Sequence, residues 1–275
     1  MNKIIVFGSA GMLGRYITSY FRQKTDFEVV AITRKEFDVT TGSVQQLRDV
    51  LCRHHTDANT VVFNAVGVIP QSKPRQASDY YVVNFHFSVT LSRVVRELGA
   101  HYILPATDCV FSGKQGNYNE SSVMDCETDY GHSKRMGESV KGTIIRVSII
   151  GENPKGISLL EWAKSQRGKT VQGYTNHLWN GITCLEYAKF LDQIITNNKL
   201  WEGVRHIHSP RVVSKAELLQ MISDAFELDL KIDCVETESK CDRSLCSLYQ
   251  ICNSDYQVPP LEVQLMELKA FNRFI

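Results

Sequence analysis

Tyr130 and Lys134, separated by Gly-His-Ser, are the two residues in this chain best suited to pass a proton. On a helix, residues four apart share one face, so the phenol and the ammonium reach the same small space. An isolated Tyr holds its proton to about pH 10. A fixed positive charge nearby favours the phenolate and lowers that value toward neutrality, where proton exchange is efficient. Such a pair can protonate a carbonyl that is receiving hydride. Spacing alone does not single it out, because Tyr20-Phe-Arg-Gln-Lys24 repeats it. The surrounding elements must choose between the two copies.

The first of those elements is the apolar run Lys3–Phe7, followed by Gly8-Ser-Ala-Gly11-Met-Leu-Gly14 and a helical pattern ending near Lys24. Strand, glycine turn and helix form the context of a dinucleotide fingerprint, in which the backbone approaches a pyrophosphate seated on the helix N-terminus. The spacing here is G-x-x-G-x-x-G, which a purely structural turn in another α/β protein would also satisfy. Tyr20 and Lys24 fall two turns down this helix, where packing and surface roles suit them.

Glu28–Ile32 reads as a second strand. No acidic residue ends it to accept ribose hydroxyls; Thr33-Arg34-Lys35 stands there instead, two cations placed for a 2′-phosphate. NADP(H) is therefore favoured over NAD(H), the other reading of Arg34 and Lys35 being solvated loop charges. Phe37-Asp38-Val39 reads as a short third strand whose Asp38 faces an adenine amino group, and residues 43–55 as a helix. Thr60–Val66 is a buried strand ending in Asn64-Ala65-Val66-Gly67. Residues 77–98 are helical and contain Asn84, either a buried hydrogen-bonding group or a surface residue. Tyr102–Pro105 delivers Ala106-Thr107-Asp108-Cys109-Val110-Phe111 at its C-terminal end, the edge where open parallel sheets bind ligands. The helix bearing Tyr130 and Lys134 follows, then a sixth strand, Gly142–Ile150. Alternation of this kind predicts an α/β fold, a Rossmann-type doubly wound parallel sheet over residues 1–150.

Beyond residue 150, residues 158–167 and 183–197 read as helices. Ser214-x-x-Glu217 is a capping box opening another, about 214–227. Leu230–Val235 reads as a strand and Leu261–Phe271 as a closing helix. Residues 151–275 are expected to form a smaller α/β substrate lobe, not an independent domain. Within Asn176–Gly181, Trp179 and Asn180 offer an aromatic beside amides, suited to a nucleobase or sugar and equally to a packed turn. His206 and His208 share one face of an apparent strand, a pattern more typical of structure than of a metal site.

The chain has 275 residues, is 43% hydrophobic and 22% charged, and carries net charge +1. No basic excess points to nucleic acid. No run approaches the roughly 18 apolar residues that cross a bilayer, and the N-terminus does not read as a signal peptide. The 8 cysteines lack CxxC pairs; those from Cys234 to Cys252 have no histidine among them, so reduced thiols are preferred to a zinc site. No metal is expected, and the location is cytoplasmic.

Taken together, Gly8/Gly11/Gly14, Asp38-Val39, Asn64-Ala65, Asn84, Thr107-Asp108 and Tyr130-x-x-x-Lys134 resemble the extended short-chain dehydrogenases/reductases. Thr107-Asp-Cys-Val-Phe-Ser-Gly113 and Tyr130-Gly-His-Ser-Lys-Arg-Met-Gly-Glu138 look like the dTDP-4-dehydrorhamnose reductase branch. Arg146, Gly203–His208, Ser214–Glu217 and Arg243-Ser-Leu continue the likeness more weakly. The resemblance implies NAD(P)H-dependent reduction at C4 of a 4-keto-6-deoxy sugar nucleotide. Tyr130 would donate the proton, Lys134 would bind the nicotinamide ribose and lower the Tyr130 pKa, and Thr107 would orient the keto oxygen. Gly8, Gly11, Met12, Leu13 and Gly14 would carry the pyrophosphate, with Asp38, Val39, Asn64, Ala65 and Val66 along the dinucleotide. Asp108, Cys109, Val110 and Phe111 would face the sugar with Trp179 and Asn180. The expected partner is a nucleotide sugar, without nucleic acid or membrane; self-assembly, where it occurs, would be a homodimer.

Departures from the branch concern the sugar. Its enzymes carry Thr-Asp-Tyr-Val-Phe-Asp-Gly, whereas this chain has Cys109 for the Tyr and Ser112 for the second Asp; Ile149 replaces the usual Trp. A different 4-keto sugar nucleotide fits these changes. Two alternatives stay open: a non-catalytic binding subunit like the β subunit of methionine adenosyltransferase, and a reductase that also epimerises, with Cys109 as acid or base.

Overall fold

Ile4, Ile5, Val6 and Phe7 are all buried, so Lys3–Phe7 (β1) is covered on both faces, as a central parallel strand must be. The computed structural model describes residues 1–72, 76–249 and 256–275; Cys252 lies outside them. Around β1 the chain builds a 6-stranded sheet from Glu28–Ile32 (β2), Thr60–Asn64 (β3), His101–Thr107 (β4), Thr143–Val147 (β5) and Gly203–His206 (β6), ordered β6-β5-β4-β3-β1-β2. β1 pairs in parallel with β2 and β3, and β3 with β4. The chain runs outward from β1 to β2 and then returns to β3. The switch point therefore lies where the ends of β1 and β3 meet, the place such sheets bind ligands.

Two predicted strands come out differently. Phe37-Asp38-Val39 forms no strand: the Phe37 N–H bonds the Thr33 carbonyl, and Thr41 and Gly42 N–H groups bond the Asp38 carbonyl, closing turns. The Phe37 ring turns inward onto Phe7 and Phe87, at 6.3 and 6.0 Å. Tertiary burial of one ring overrides the alternating pattern. The run Gly142–Ile150 breaks at Ser148, so that only Thr143–Val147 joins the main sheet while Ile149–Ile150 pairs with Ile182–Thr183. The sixth strand of the sheet is β6, from the second half of the chain, and it stops at His206 before His208.

By its contacts the chain forms two compact units. The first comprises Met1–Thr107, Glu127–Ile145 and Ala188–Val204. It holds the helices Met12–Lys24 (α1), Val44–Arg53 (α2), Phe87–Glu97 (α3) and Asp129–Gly137 (α4). A reciprocal box of Ser43 and Gln46 caps α2. A π-helical stretch, Tyr81–His86, leads into α3.

The second unit comprises Asp108–Cys126, Arg146–Tyr187 and Arg205–Ile275. Thr170–Tyr174 pairs in parallel with Lys231–Val235, and His177–Trp179 lies between Val213–Ser214 and Cys241–Asp242. The capping box of Ser214 and Glu217 opens the helix Lys215–Phe226, as the sequence predicts. Among the described cysteines no disulfide forms.

A buried cation organises this unit. Arg146, 2% exposed, lies over the Phe111 ring at 5.1 Å, and that ring stacks on Tyr118 at 4.2 Å. Arg146 Nη1 donates to His206 Nε2 at 2.7 Å, so the imidazole is neutral and its Nδ1–H donates to the Cys246 carbonyl at 2.8 Å. Burial first, and then the Arg146 charge, lower the His206 pKa to about 4. Glu120 accepts from the His206 and Leu248 N–H groups and the Ser247 hydroxyl. Burial raises its pKa, yet these bonds outweigh burial and hold it below the usual carboxylate value.

On acidification the unfolded chain protonates His206 near its ordinary value of about 6.5, whereas the folded chain does so only near 4. Across that window the unfolded state binds more protons, so stability falls as pH falls. Glu120 adds a loss in the same direction at lower pH. Urea unfolding should show about 3 kcal/mol less stability at pH 4 than at pH 7, with a shallower slope in His206→Asn.

Candidate active site

The glycine turn has no room for side chains. Gly8 holds φ +74°, and a Cβ there would lie 2.9 Å from the Ala65 carbonyl carbon and the Val66 nitrogen. A Cβ on Gly14 would lie 2.3 Å from the Gly8 carbonyl oxygen, and one on Gly11 would lie 3.2 Å from it. The loop is thus packed against the end of β3 and the first turn of α1. Gly11 is the N-cap of α1 and supplies no side-chain acceptor. The first-turn N–H groups of Met12, Leu13 and Gly14 lack intrahelical partners, and the helix dipole leaves them electropositive. That end can seat an anion.

At the tip of β2, Arg34 stands 76% exposed, with Asp38 3.8 Å from its Nε. Asp38 accepts from the Thr40 hydroxyl and N–H, at 2.7 and 2.9 Å, and those bonds lower its pKa, with a smaller contribution from Arg34. Asn64, fully buried at the end of β3, fixes the next residues by accepting from the Val66 N–H at 3.1 Å. Its amide donates to Ser88 Oγ and to Tyr102 Oη.

Asn84 is the hinge of the site, and its surroundings select the buried reading over the surface one. It is 2% exposed. Its Oδ1 accepts from the Val68 N–H at 2.9 Å, while Nδ2 donates to the Val68 carbonyl and to Ser133 Oγ, each at 3.0 Å. Ser133 in turn donates to the Tyr130 carbonyl at 2.8 Å. A Cβ on Gly137 would lie 2.6 Å from the Asn84 carbonyl oxygen, so α4 seats its Ser133–Gly137 face directly on this turn. Lys134 Nζ donates to the Pro105 carbonyl at 2.9 Å. This bond ties α4 to the last residues of β4, two positions before the buried Thr107. Tyr130, Lys134 and the β4 tip thus belong to one framework, with the Tyr130 ring 5.9 Å from that of Tyr80. Sequence reading missed Ser133; its position one residue before Lys134, one turn from Gly137, was the available signal.

The remaining site candidates lie in the second unit. Asp108 is buried in a short 3-10 turn, Asp108–Val110, and accepts from the Cys109 thiol at 3.6 Å. Val110 and Phe111 are fully buried in the core with Tyr118 and Leu245. Ser112, which replaces an acid of the branch, binds Asp125 through its N–H and hydroxyl at 2.7 and 2.6 Å. Trp179 donates to Ser148 Oγ at 2.7 Å. Asn180 pairs both sides of its amide with the Leu245 backbone.

Residues 1–244 match the family model described as the RmlD substrate binding domain. The chain is 27% identical over 254 residues to the spore coat polysaccharide biosynthesis protein SpsK of Bacillus subtilis (strain 168), spanning 86% of this chain and 84% of that protein. It is 26% identical over 227 residues to dTDP-4-dehydrorhamnose reductase of Aggregatibacter actinomycetemcomitans, spanning 78% and 76% respectively. The solved structure of dTDP-4-dehydrorhamnose reductase from Bacillus anthracis str. Ames in complex with NADP shares its fold, with TM-score 0.82 at 17% identity over 98% of this chain and 99% of that one.

Asn84→Ala removes one group that satisfies three others. It should cost roughly 2–4 kcal/mol in urea unfolding, because the part-buried Val68 N–H and carbonyl lose their partner and the buried Ser133 hydroxyl loses a donor.

Proposed function

Because the chain belongs to the RmlD substrate binding domain family, within the extended short-chain dehydrogenases/reductases, we propose that it reduces the C4 keto group of a nucleotide-activated 4-keto-6-deoxy hexose. The observation that carries this reading is the anchoring of Tyr130 and Lys134 at the end of β4, through Asn84–Ser133 and Lys134–Pro105, in the unit that also holds the glycine turn.

A bound nicotinamide dinucleotide supplies the hydride. The close-packed turn and uncapped α1 fit its pyrophosphate, which Gly8, Gly11, Met12, Leu13 and Gly14 would hold. Asp38, Val39, Asn64, Ala65 and Val66 would line the rest of the dinucleotide. Arg34 and Lys35 would meet a 2′-phosphate, making NADPH the preferred form. Tyr130 then donates its proton to the C4 oxygen as negative charge develops there. Lys134 stabilises the phenolate left behind and binds the nicotinamide ribose. Thr107 orients the keto oxygen by a hydrogen bond. Asp108, Cys109 and Trp179 face the sugar, while Asn180, Val110 and Phe111 hold that wall from behind. In this division residues 1–150 would carry the cofactor and, through Asp108–Phe111, part of the sugar wall, and residues 151–275 would supply the rest of the substrate contacts. The setting proposed is cytoplasmic; among the described residues no helix is long and apolar enough to cross a membrane.

NADPH oxidation should be observed with at least one member of a panel of dTDP-, UDP- and GDP-4-keto-6-deoxy sugars. Tyr130→Phe should lower kcat by roughly 10²-fold or more while retaining NADPH binding. Undiminished turnover in that variant would sink the mechanism, and NADP binding without turnover of any sugar would favour the non-catalytic reading. Replacing Arg34 and Lys35 by Ala should reduce kcat/KM for NADPH by roughly tenfold, the worth of one charge-assisted contact, and leave that for NADH unchanged.

A further inference from the structure

Lys215 is a half-buried cation of the second unit. It is the first residue of the helix Lys215–Phe226, where the helix dipole disfavours positive charge. Burial is the leading reason its pKa falls below that of an ordinary lysine; Asp108 opposes that fall, and the Arg243 charge adds to it. Among the described residues its ammonium makes no hydrogen bond, and no carboxylate lies within 4.0 Å. Its close neighbour is the Trp179 ring, 5.0 Å from Nζ. An indole face replaces only part of the hydration an ammonium loses.

Lys215 stands on the wall shared by two cavities of the second unit. One, of about 120 Å³, is lined by Ser148, Ile149 and Trp179; the other, of about 710 Å³, by Trp162, Gln172 and Tyr174. Trp162 and Tyr174 are 41% and 37% exposed, large aromatic faces open to a ring that would stack on them. A second cation, Arg243, feels the same Asp108, Cys109 and Cys241. Its Nε donates to the Phe111 carbonyl at 3.0 Å. Two cations thus lie within the electrostatic reach of Asp108.

We propose that Lys215 is a specificity-determining residue that binds an anionic oxygen of the substrate, phosphoryl or carboxylate, between these cavities. The identity of the anion rests on the nucleotide-sugar reading: the aromatic cavity would take the base, and the diphosphate would cross Lys215 toward the smaller cavity. A carboxylate on the sugar would engage the same ammonium from the other side. The departures of this chain from its branch at Ile149 and Cys109 fall beside the same lysine, which makes it a residue of this protein's selectivity and not of hydride transfer.

The test is calorimetric titration of the full chain with pyrophosphate, UDP, dTDP, GDP, glucuronate and uncharged nucleosides, comparing wild type with Lys215→Met and Lys215→Arg. Methionine keeps the length and apolar stem. It should weaken diphosphate binding by roughly tenfold or more, leave nucleoside and NADPH binding unchanged, and not lower Tm, since it removes a desolvated charge. Arginine should restore part of the loss. Dependence on Lys215 for glucuronate alone would support the site and place the anion on the sugar. Wild type that binds none of these anions, Lys215→Met that binds them equally well, or a variant that loses nucleoside affinity together with stability would each overturn the proposal. None of these readouts needs turnover, so Lys215-dependent binding in a protein that reduces no keto sugar would refute the catalytic reading and leave this one standing.

Discussion

The first unit depends on a line of hydrogen bonds through its π-helical turn. The Asn64 amide donates to Ser88, Ser88 to the Asn84 carbonyl, Asn84 to Ser133, and Ser133 to the Tyr130 carbonyl. Each of these side chains is buried, so each bond would be costly to leave unmade. The line starts at the tip of β3, which also braces the glycine turn, and ends on α4, the helix of Tyr130, the proposed proton donor. In the stretch Tyr81–His86 the Phe87 N–H reaches back five residues to Val82. A turn widened in this way frees backbone groups for side chains to use, a device common at functional sites.

Steric limits act alongside those bonds. Gly14 and Gly137 each sit where one added carbon would meet a backbone oxygen at 2.3 and 2.6 Å. The first lets the backbone of α1 come within reach of Gly8; the second brings α4 onto Asn84. Glycine at these positions determines how closely two backbones approach, and therefore where α4 and the first turn of α1 stand within the unit.

What could be read from the sequence follows from the range of the interaction involved. The strand, turn and helix of Lys3–Lys24 and the Ser214–Glu217 box are local, written in spacing a few residues long, and they form as expected. The placement of Lys134 beside β4 follows from alternating strands and helices, also visible in the pattern. Phe37–Val39 misled because its apolar alternation serves a ring reaching Phe7 and Phe87. Gly142–Ile150 misled because the apolar run conceals Ser148, whose hydroxyl accepts the Trp179 N–H across 31 residues. Asn84 stayed ambiguous for the same reason, its partner Ser133 being 49 residues away. Nothing in the linear pattern marks Lys215, the residue after a helix cap, because spacing does not record what surrounds an ammonium.

Two cations of the second unit, Arg146 fully buried and Lys215 half-buried, show how completeness separates architecture from recognition. Arg146 closes a circuit: His206 accepts from it, Glu120 accepts from the His206 backbone, and Ser247 and Leu248 fill the remaining carboxylate positions. The circuit joins residues between positions 118 and 248. Burying a charge is tolerable on those terms, because hydrogen bonds replace the lost water. Lys215, half-buried, has no such circuit among the described residues. A fold gains no stability by keeping an ammonium in that condition, where a methionine of similar length would fill the space. The same physics that makes Arg146 a structural residue leaves the Lys215 ammonium on a cavity wall, bound to no carboxylate of the described chain, which is the basis of the anion site proposed for it.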